Sequence, residues 1–185
     1  MTGSETVRPA LRHVGIFASD PDAVARFYCD HLGLRETDRG TTMGHQVVFL
    51  SADPGQHHQL VIADGRAADQ RSTVCQLSFE VPDLASLRAL VDRLRLAGHA
   101  VHRVVDHGTS WSAYVDDPEQ NTVELYVSTD WYVHQPSAEP LDLDQPDGEI
   151  DAATAARCHA DPTFRPFSEW SAELASQLGS EASRR

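Results

Sequence analysis

The sequence predicts an α+β fold, with two tandem βαβββ modules followed by a C-terminal extension carrying short helices. Three observations predict it. A stretch near the N-terminus recurs near the middle of the chain; within each copy the apolar spacing switches from alternation to helical periodicity; and the pattern stops after residue 128.

The repeat pairs LRHVGIFASDPDAVARFYCDHLG, residues 11–33, with VCQLSFEVPDLASLRALVDRLRLAG, residues 74–98. Superposed, they set His13 on Gln76, Asp20 on Asp83 and Val24 on Leu87. In the second copy Cys75, Leu77, Phe79 and Val81 fall on one strand face and Gln76, Ser78 and Glu80 on the other. Asp83 then caps a helix whose Leu84, Leu87, Leu90, Val91 and Leu94 recur at helical spacing, and Gly98 ends it. In the first copy Asp20 or Asp22 caps a helix burying Val24, Phe27, Tyr28 and Leu32, ended by Gly33. Strands are expected after each helix, at 34–37, 46–50 and 58–63 and again at 101–105, 110–115 and 122–127, punctuated by Pro54-Gly55 and Asp117-Pro118. The modules therefore span 10–70 and 71–128, after an arm at 1–9. The extension at 129–185 offers helices at 150–160 and 167–178.

Composition narrows the function. Fifteen Lys+Arg against 28 Asp+Glu leave a formal charge of −13 over 185 residues, which repels phosphate backbones and anionic lipid. Neither a nucleic-acid nor a membrane partner is expected, and the start lacks the basic-then-apolar plan of a signal peptide. The three cysteines, Cys29, Cys75 and Cys158, are far apart and read as reduced, buried thiols of a cytoplasmic protein. Ten histidines in so acidic a chain hint at metal or proton chemistry. On the last strand Val123, Leu125 and Val127 share one face, so Glu124 and Tyr126 share the other; His13 likewise lies on the face opposite Val14 and Ile16.

The paired βαβββ grammar, His13 on a first strand, and YVDDPEQNTVELY at 114–126 resemble the vicinal oxygen chelate superfamily, which includes glyoxalases, bleomycin-resistance proteins and type I extradiol dioxygenases. The resemblance covers residues 10–128 and implies a cupped, eight-stranded mixed sheet with both long helices outside it. It also implies a divalent metal on His13, Gln76 and Glu124, with Fe(II) the first choice and Mn, Ni, Zn or Co as alternatives. In pattern it is nearest to the type I extradiol (catechol) dioxygenases. The pair in QHHQLVIA resembles the extradiol acid–base histidine and maps it onto His58, whereas alternation favours His57. HGTSWSAY resembles the stretch carrying a second active-site His and a Tyr, here His107 and Tyr114. Gln76 stands where extradiol enzymes have His; its amide oxygen is a weaker donor than imidazole, although glyoxalase-type members accept Gln. Gln59 aligns with Glu124 through the repeat and is read as a polar wall of the pocket or, in a glyoxalase-like site, a fourth ligand.

The implied function is ring cleavage of a catechol-like aromatic with O₂, in a homodimer, with His58, His107 and Tyr114 as catalytic residues. The alternatives are a glyoxalase- or epimerase-like lyase or isomerase with a divalent metal, and a metal-free protein that sequesters small molecules. Trp111, Trp131 and Tyr132 are read as packing of the extension or as pocket lining.

Overall fold

The computed structural model describes residues 8–179. It divides into two compact units: unit 1 takes the described residues up to Thr73 together with Asp117–Gln120, and unit 2 takes Val74–Asp116 and the chain from Asn121 onward.

Unit 1 runs β1 (Val14–Ala18), α1 (Pro21–Leu32), β2 (Arg35–Thr42), β3 (His45–Ser51) and β4 (Leu60–Asp64), a βαβββ module. Its sheet has the order β1-β4-β3-β2, with β1 parallel to β4 and the other pairs antiparallel. The Asp20 carboxylate accepts a hydrogen bond from Ala23 N at 2.9 Å and starts α1, and Gly33 at φ 80° ends it in the left-handed region. The helix buries Val24, Phe27 and Tyr28, and the strands bury Ile16, Val48, Leu50, Leu60 and Ile62. Each such side chain withdrawn from water stabilises the unit by about 1.5–3 kcal/mol. β2 is longer than the 34–37 expected, because its residues are exposed throughout and polar, and carry no alternation to read.

The turn Asp117–Gln120 belongs to this unit for a stated reason. Glu119 Oε1 accepts from Ser19 N at 2.7 Å, Ser19 Oγ at 2.6 Å and Asp20 N at 3.0 Å, and its Oε2 pairs with Arg66 at 2.9 Å. Tyr28 donates its hydroxyl to Asp117 at 3.0 Å, and burial together with that carboxylate pushes the phenol well above its ordinary range.

Unit 2 runs β5 (Leu77–Glu80), α2 (Leu84–Leu96), β6 (Val101–Asp106), β7 (Ser110–Asp116) and β8 (Thr122–Ser128), the second βαβββ module. The extension follows as β9 (Trp131–Tyr132), β10 (Glu139–Pro140), α3 (Asp147–Ala160), β11 (Arg165–Pro166) and α4 (Phe167–Leu178). The second sheet has the order β10-β6-β7-β8-β5, so the eight module strands form one four-stranded mixed sheet per unit, and the extension adds a strand to the second. Asp83 caps α2, accepting from Ser86 N at 2.7 Å, and α2 buries Leu84, Leu87, Val91 and Leu94. Val123, Leu125 and Val127 are buried as their alternation requires. Cys158 is buried, but Cys75 is exposed, because it precedes β5 and escapes the alternation read for that strand. Among the described residues no helix is long and apolar enough to cross a membrane.

The extension is packed by polar bonds as much as by apolar burial. Ile150, Thr154 and Cys158 form the buried stripe of α3. Trp111 Nε1 donates to the Thr154 hydroxyl at 2.8 Å, and that hydroxyl donates to Asp106 at 2.8 Å. Trp111 is thus packed against the extension. Arg157 closes the set with an ion pair to Asp106 at 2.6 Å.

One stability prediction concerns Glu119. Burial alone would raise its carboxyl, but the bonds from Ser19 and Asp20 and the charge of Arg66 hold it below the usual range. A depressed folded-state pKa contributes stability above the unfolded value and loses it as pH falls through the folded one. We expect Glu119→Ala to cost about 3–5 kcal/mol in urea unfolding at pH 7, because Arg66 is left buried without its partner. The loss on acidification below pH 4 should be smaller in the variant than in the parent.

Candidate functional site

The polar face of the unit 2 sheet is a row across four strands. Arg103 on β6 opposes Tyr114 on β7, Tyr114 opposes Glu124 on β8, and Glu124 opposes Ser78 on β5. Directly opposed residues share a face, so register alone aligns these four side chains. Glu124 is 8% exposed and sits at the centre. Its Oε2 accepts from Ser78 Oγ at 2.6 Å and from Gln76 Nε2 at 3.0 Å, and its Oε1 accepts from the Tyr114 hydroxyl at 2.6 Å. Burial raises this carboxyl, yet the bonds from Ser78, Tyr114 and Ser112 and the charge of His107 outweigh it and keep the group ionised. Burial and the neighbouring Glu124 push the Tyr114 phenol up to about 12.

His107 belongs to the same network. Its Nε2 lies 2.8 Å from the Tyr114 hydroxyl and 3.9 Å from Glu124, and its Nδ1 lies 2.5 Å from the backbone carbonyl of Ser137. A carbonyl only accepts, so Nδ1 carries a proton. The Tyr114 hydroxyl donates to Glu124, which leaves its oxygen facing His107 Nε2.

The extension therefore supplies part of this network. Gln135 Nε2 donates to the His107 carbonyl at 2.9 Å, and Arg157 donates to Ser137 Oγ at 3.1 Å. Gly108, at the tip of the β6–β7 turn, has φ +80°, and a Cβ there would lie 2.6 Å from Val133 Cγ2 and 3.2 Å from Cys158 Sγ. Only glycine lets the turn lie this close to the extension.

Unit 1 holds a second cluster. His58 lies 4.4 Å from His13 between ring centroids and 5.1 Å from Phe49. His57 Nε2 lies 3.2 Å from Asp38, and its Nδ1 is 2.9 Å from His58 Nδ1. Asp38 accepts from Nε2–H of His57. With both rings neutral, His57 Nδ1 then accepts from His58 Nδ1–H, which leaves the His58 Nε2 lone pair free. Burial first, then His13 and His57, lowers the pKa of His58. β4 begins at Leu60, so the strand alternation that favours His57 does not extend back to either residue. Gln59 turns its carbonyl to the backbone, accepting from Ala52 N at 2.9 Å.

Within unit 2, then, Gln76, Glu124, His107 and Tyr114 are brought together, and within unit 1, His13 and His58. Ser78, Ser112, Arg103 and Ser137 were missed. Ser78 was legible two residues beyond Gln76 on the same face, whereas Ser137 contributes through its backbone and leaves no sequence signal. The donors fit a metal unevenly. Glu124 is ionised and suits a cation. Gln76 presents its NH₂ to Glu124, and an amide nitrogen cannot ligate, so to share a cation with that carboxylate the amide must turn over. Among the described residues no group of three or more His, Cys, Asp or Glu stands together as a metal site.

The model of the Glyoxalase/Bleomycin resistance protein/Dioxygenase superfamily matches residues 10–125. A biphenyl-2,3-diol 1,2-dioxygenase of Rhodococcus globerulus is 28% identical over 128 residues, covering 66% of this chain and 65% of that protein. The match thus spans less than two thirds of that relative's length. A glyoxylase/bleomycin resistance protein/dioxygenase domain from Frankia sp. EAN1pec has a TM-score of 0.58 at 23% identity, over 66% of this chain and all of its own. The fosfomycin resistance protein FosX of Listeria monocytogenes, solved with Mn(II) and 1S,2S-dihydroxypropylphosphonic acid, has a TM-score of 0.55 at 14% identity, over 66% of this chain and 95% of its own. Both structural likenesses concern the fold. The family match ends before α3 and α4.

The Gly108 contact gives a prediction. Gly108→Ala should destabilise the protein by about 1–3 kcal/mol in denaturant unfolding, from a strained φ and a forced shift of Val133. In the folded fraction the ring resonances of His107 should move while those of His13 and His58 stay in place.

Proposed function

We propose that this chain, which belongs to the Glyoxalase/Bleomycin resistance protein/Dioxygenase superfamily, is a metal-dependent extradiol-type dioxygenase acting on a catechol-like aromatic with O₂. The observation that carries the reading is the Glu124–Tyr114–His107 network, an ionised carboxylate, a phenol and an imidazole in one hydrogen-bonded line. The similarity to a biphenyl-diol dioxygenase supports the substrate class.

In this reading Glu124 is the anionic ligand of a divalent metal, Fe(II) first. Gln76 joins only after its amide turns over. The bound ion supplies Lewis acidity toward two vicinal oxygens and a place for O₂ beside them. The remaining roles belong to protein groups. His58, with Nδ1 donating to His57 and Nε2 free, accepts a proton from a substrate hydroxyl and returns it later; a lowered pKa keeps it in the accepting form at neutral pH. Tyr114, with a phenol held near 12, keeps its proton and acts as a hydrogen-bond donor rather than a base. His107, fixed at Nδ1 by Ser137, presents Nε2 to Tyr114 and holds that hydroxyl in line.

A second reading is favoured by one observation. Ser78, Gln76 and Tyr114 satisfy both oxygens of Glu124 without a cation, as a metal-free small-molecule-binding protein would have them. Metal analysis and oxygen uptake separate the two. We expect the parent protein to bind one equivalent of Fe(II) and consume O₂ with a catechol, and Glu124→Ala to lose stoichiometric metal while keeping its far-UV spectrum and melting cooperatively. Tyr114→Phe should keep the metal and lower turnover about 100-fold, the scale of a lost proton-handling group. Metal content that is unchanged in Glu124→Ala contradicts the ligand assignment.

A further inference from the structure

The row across the unit 2 sheet ends in a residue that the proposed chemistry does not use. Arg103 is exposed, and its guanidinium carbon stands 4.4 Å from the centroid of the Tyr114 ring. Register sets it on the same face as Glu124, with Tyr114 between them. Among the described residues no carboxylate lies within ion-pair distance of it, although acidic residues outnumber basic ones 28 to 15 in the chain. Elsewhere on this face His107 is bonded at both nitrogens, and Glu80 accepts from Ser128 at 2.6 Å. Arg103 is thus a cation with its fork of donors open, leaning on the aromatic ring next to the carboxylate.

We propose that the substrate is an anionic aromatic, a catechol bearing a carboxylate, and that Arg103 binds that carboxylate. The inference rests on the extradiol reading for the diol half of the substrate, and on Arg103 for the acidic half. A guanidinium matches a carboxylate through two parallel N–H···O bonds, and the Tyr114 face holds it in place for that contact. Neighbouring strands lie about 4.8 Å apart, so an anion on Arg103 sits one to two strand spacings, about 5–10 Å, from groups at Glu124. The acid and the diol therefore occupy opposite edges of one ring. A carboxylate fits better than a phosphate dianion, because the face offers one open guanidinium and no second free cation among its described residues.

The test compares 3,4-dihydroxybenzoate with 4-methylcatechol on the full chain, as iron-loaded and as metal-free protein. Dissociation constants come from tryptophan fluorescence or calorimetry, and oxygen uptake is measured in parallel. The parent should bind the acid at least tenfold more tightly than the neutral catechol. Arg103→Gln should weaken the acid by about 10–100-fold, the range for a lost charge-assisted bond, so that the ratio of the two constants falls to about one. Arg103→Lys should restore part of the ratio, and matching thermal melts establish that the exposed substitution leaves the fold intact. A ratio near one in the parent, a ratio that Arg103→Gln does not change, or no binding of either probe overturns the proposal. Charge-selective binding without O₂ consumption upholds the carboxylate site and overturns the extradiol reading. O₂ consumption at equal KM for both compounds does the reverse.

Discussion

A carboxylate kept ionised on a mostly buried sheet face is the constraint on which unit 2 depends. Taking Glu124 out of water is costly unless donors replace the lost hydration. Two strands, β5 and β7, and the residue just before β5 supply them: Ser78, Tyr114, Ser112 and Gln76. That requirement fixes the register, because a slip of one residue on any of these strands would turn its donor to the opposite, apolar face. It also fixes the hairpin. Tyr114 can serve Glu124 only where β7 and β8 pair as they do, and His107 can reach Tyr114 only where the β6–β7 turn is held down by Gly108 and the extension.

Unit 1 solves a different problem. Its histidines need no buried charge. Asp38 orients His57, His57 orients His58, and the orientation leaves one nitrogen of His58 unused. In the same unit the acidic turn is tied to the start of α1 by Glu119, whose four partners include two backbone N–H groups at the helix entry. The Asp-Pro turn that carries the family resemblance is thus also a helix-capping device.

Much of this was legible in the sequence, wherever periodicity and a single side chain decide the outcome. Alternation placed Gln76 and Ser78 on one face of their strand, Glu124 on the face of its own strand opposite Val123, Leu125 and Val127, and His13 opposite Val14 and Ile16. The helices α1 and α2 follow from their caps and their apolar spacing. Legibility ended where backbone or irregular chain takes over. His57 and His58 lie before β4, so a period of two said nothing true about them. The polar strand β2 carries no pattern. Ser137 acts through a carbonyl that any residue would supply, and Asp106, Thr154 and Arg157 form a network whose members are far apart in sequence. Gln76 was read as a ligand from its position, but position does not decide which end of an amide faces the carboxylate.

Fold and family are shared with proteins of several activities, so the function is carried by the polar row and the histidine pair rather than by the architecture. The central claim is that Glu124 is ionised in order to hold a divalent metal. Anomalous X-ray scattering at the iron edge, from crystals of iron-loaded protein, tests it most directly. The account predicts one iron peak bonded to a Glu124 carboxylate oxygen at about 2 Å, with the Gln76 amide turned or displaced. A fully loaded crystal with no peak at Glu124, and Gln76 and Ser78 still donating to it, would contradict the account.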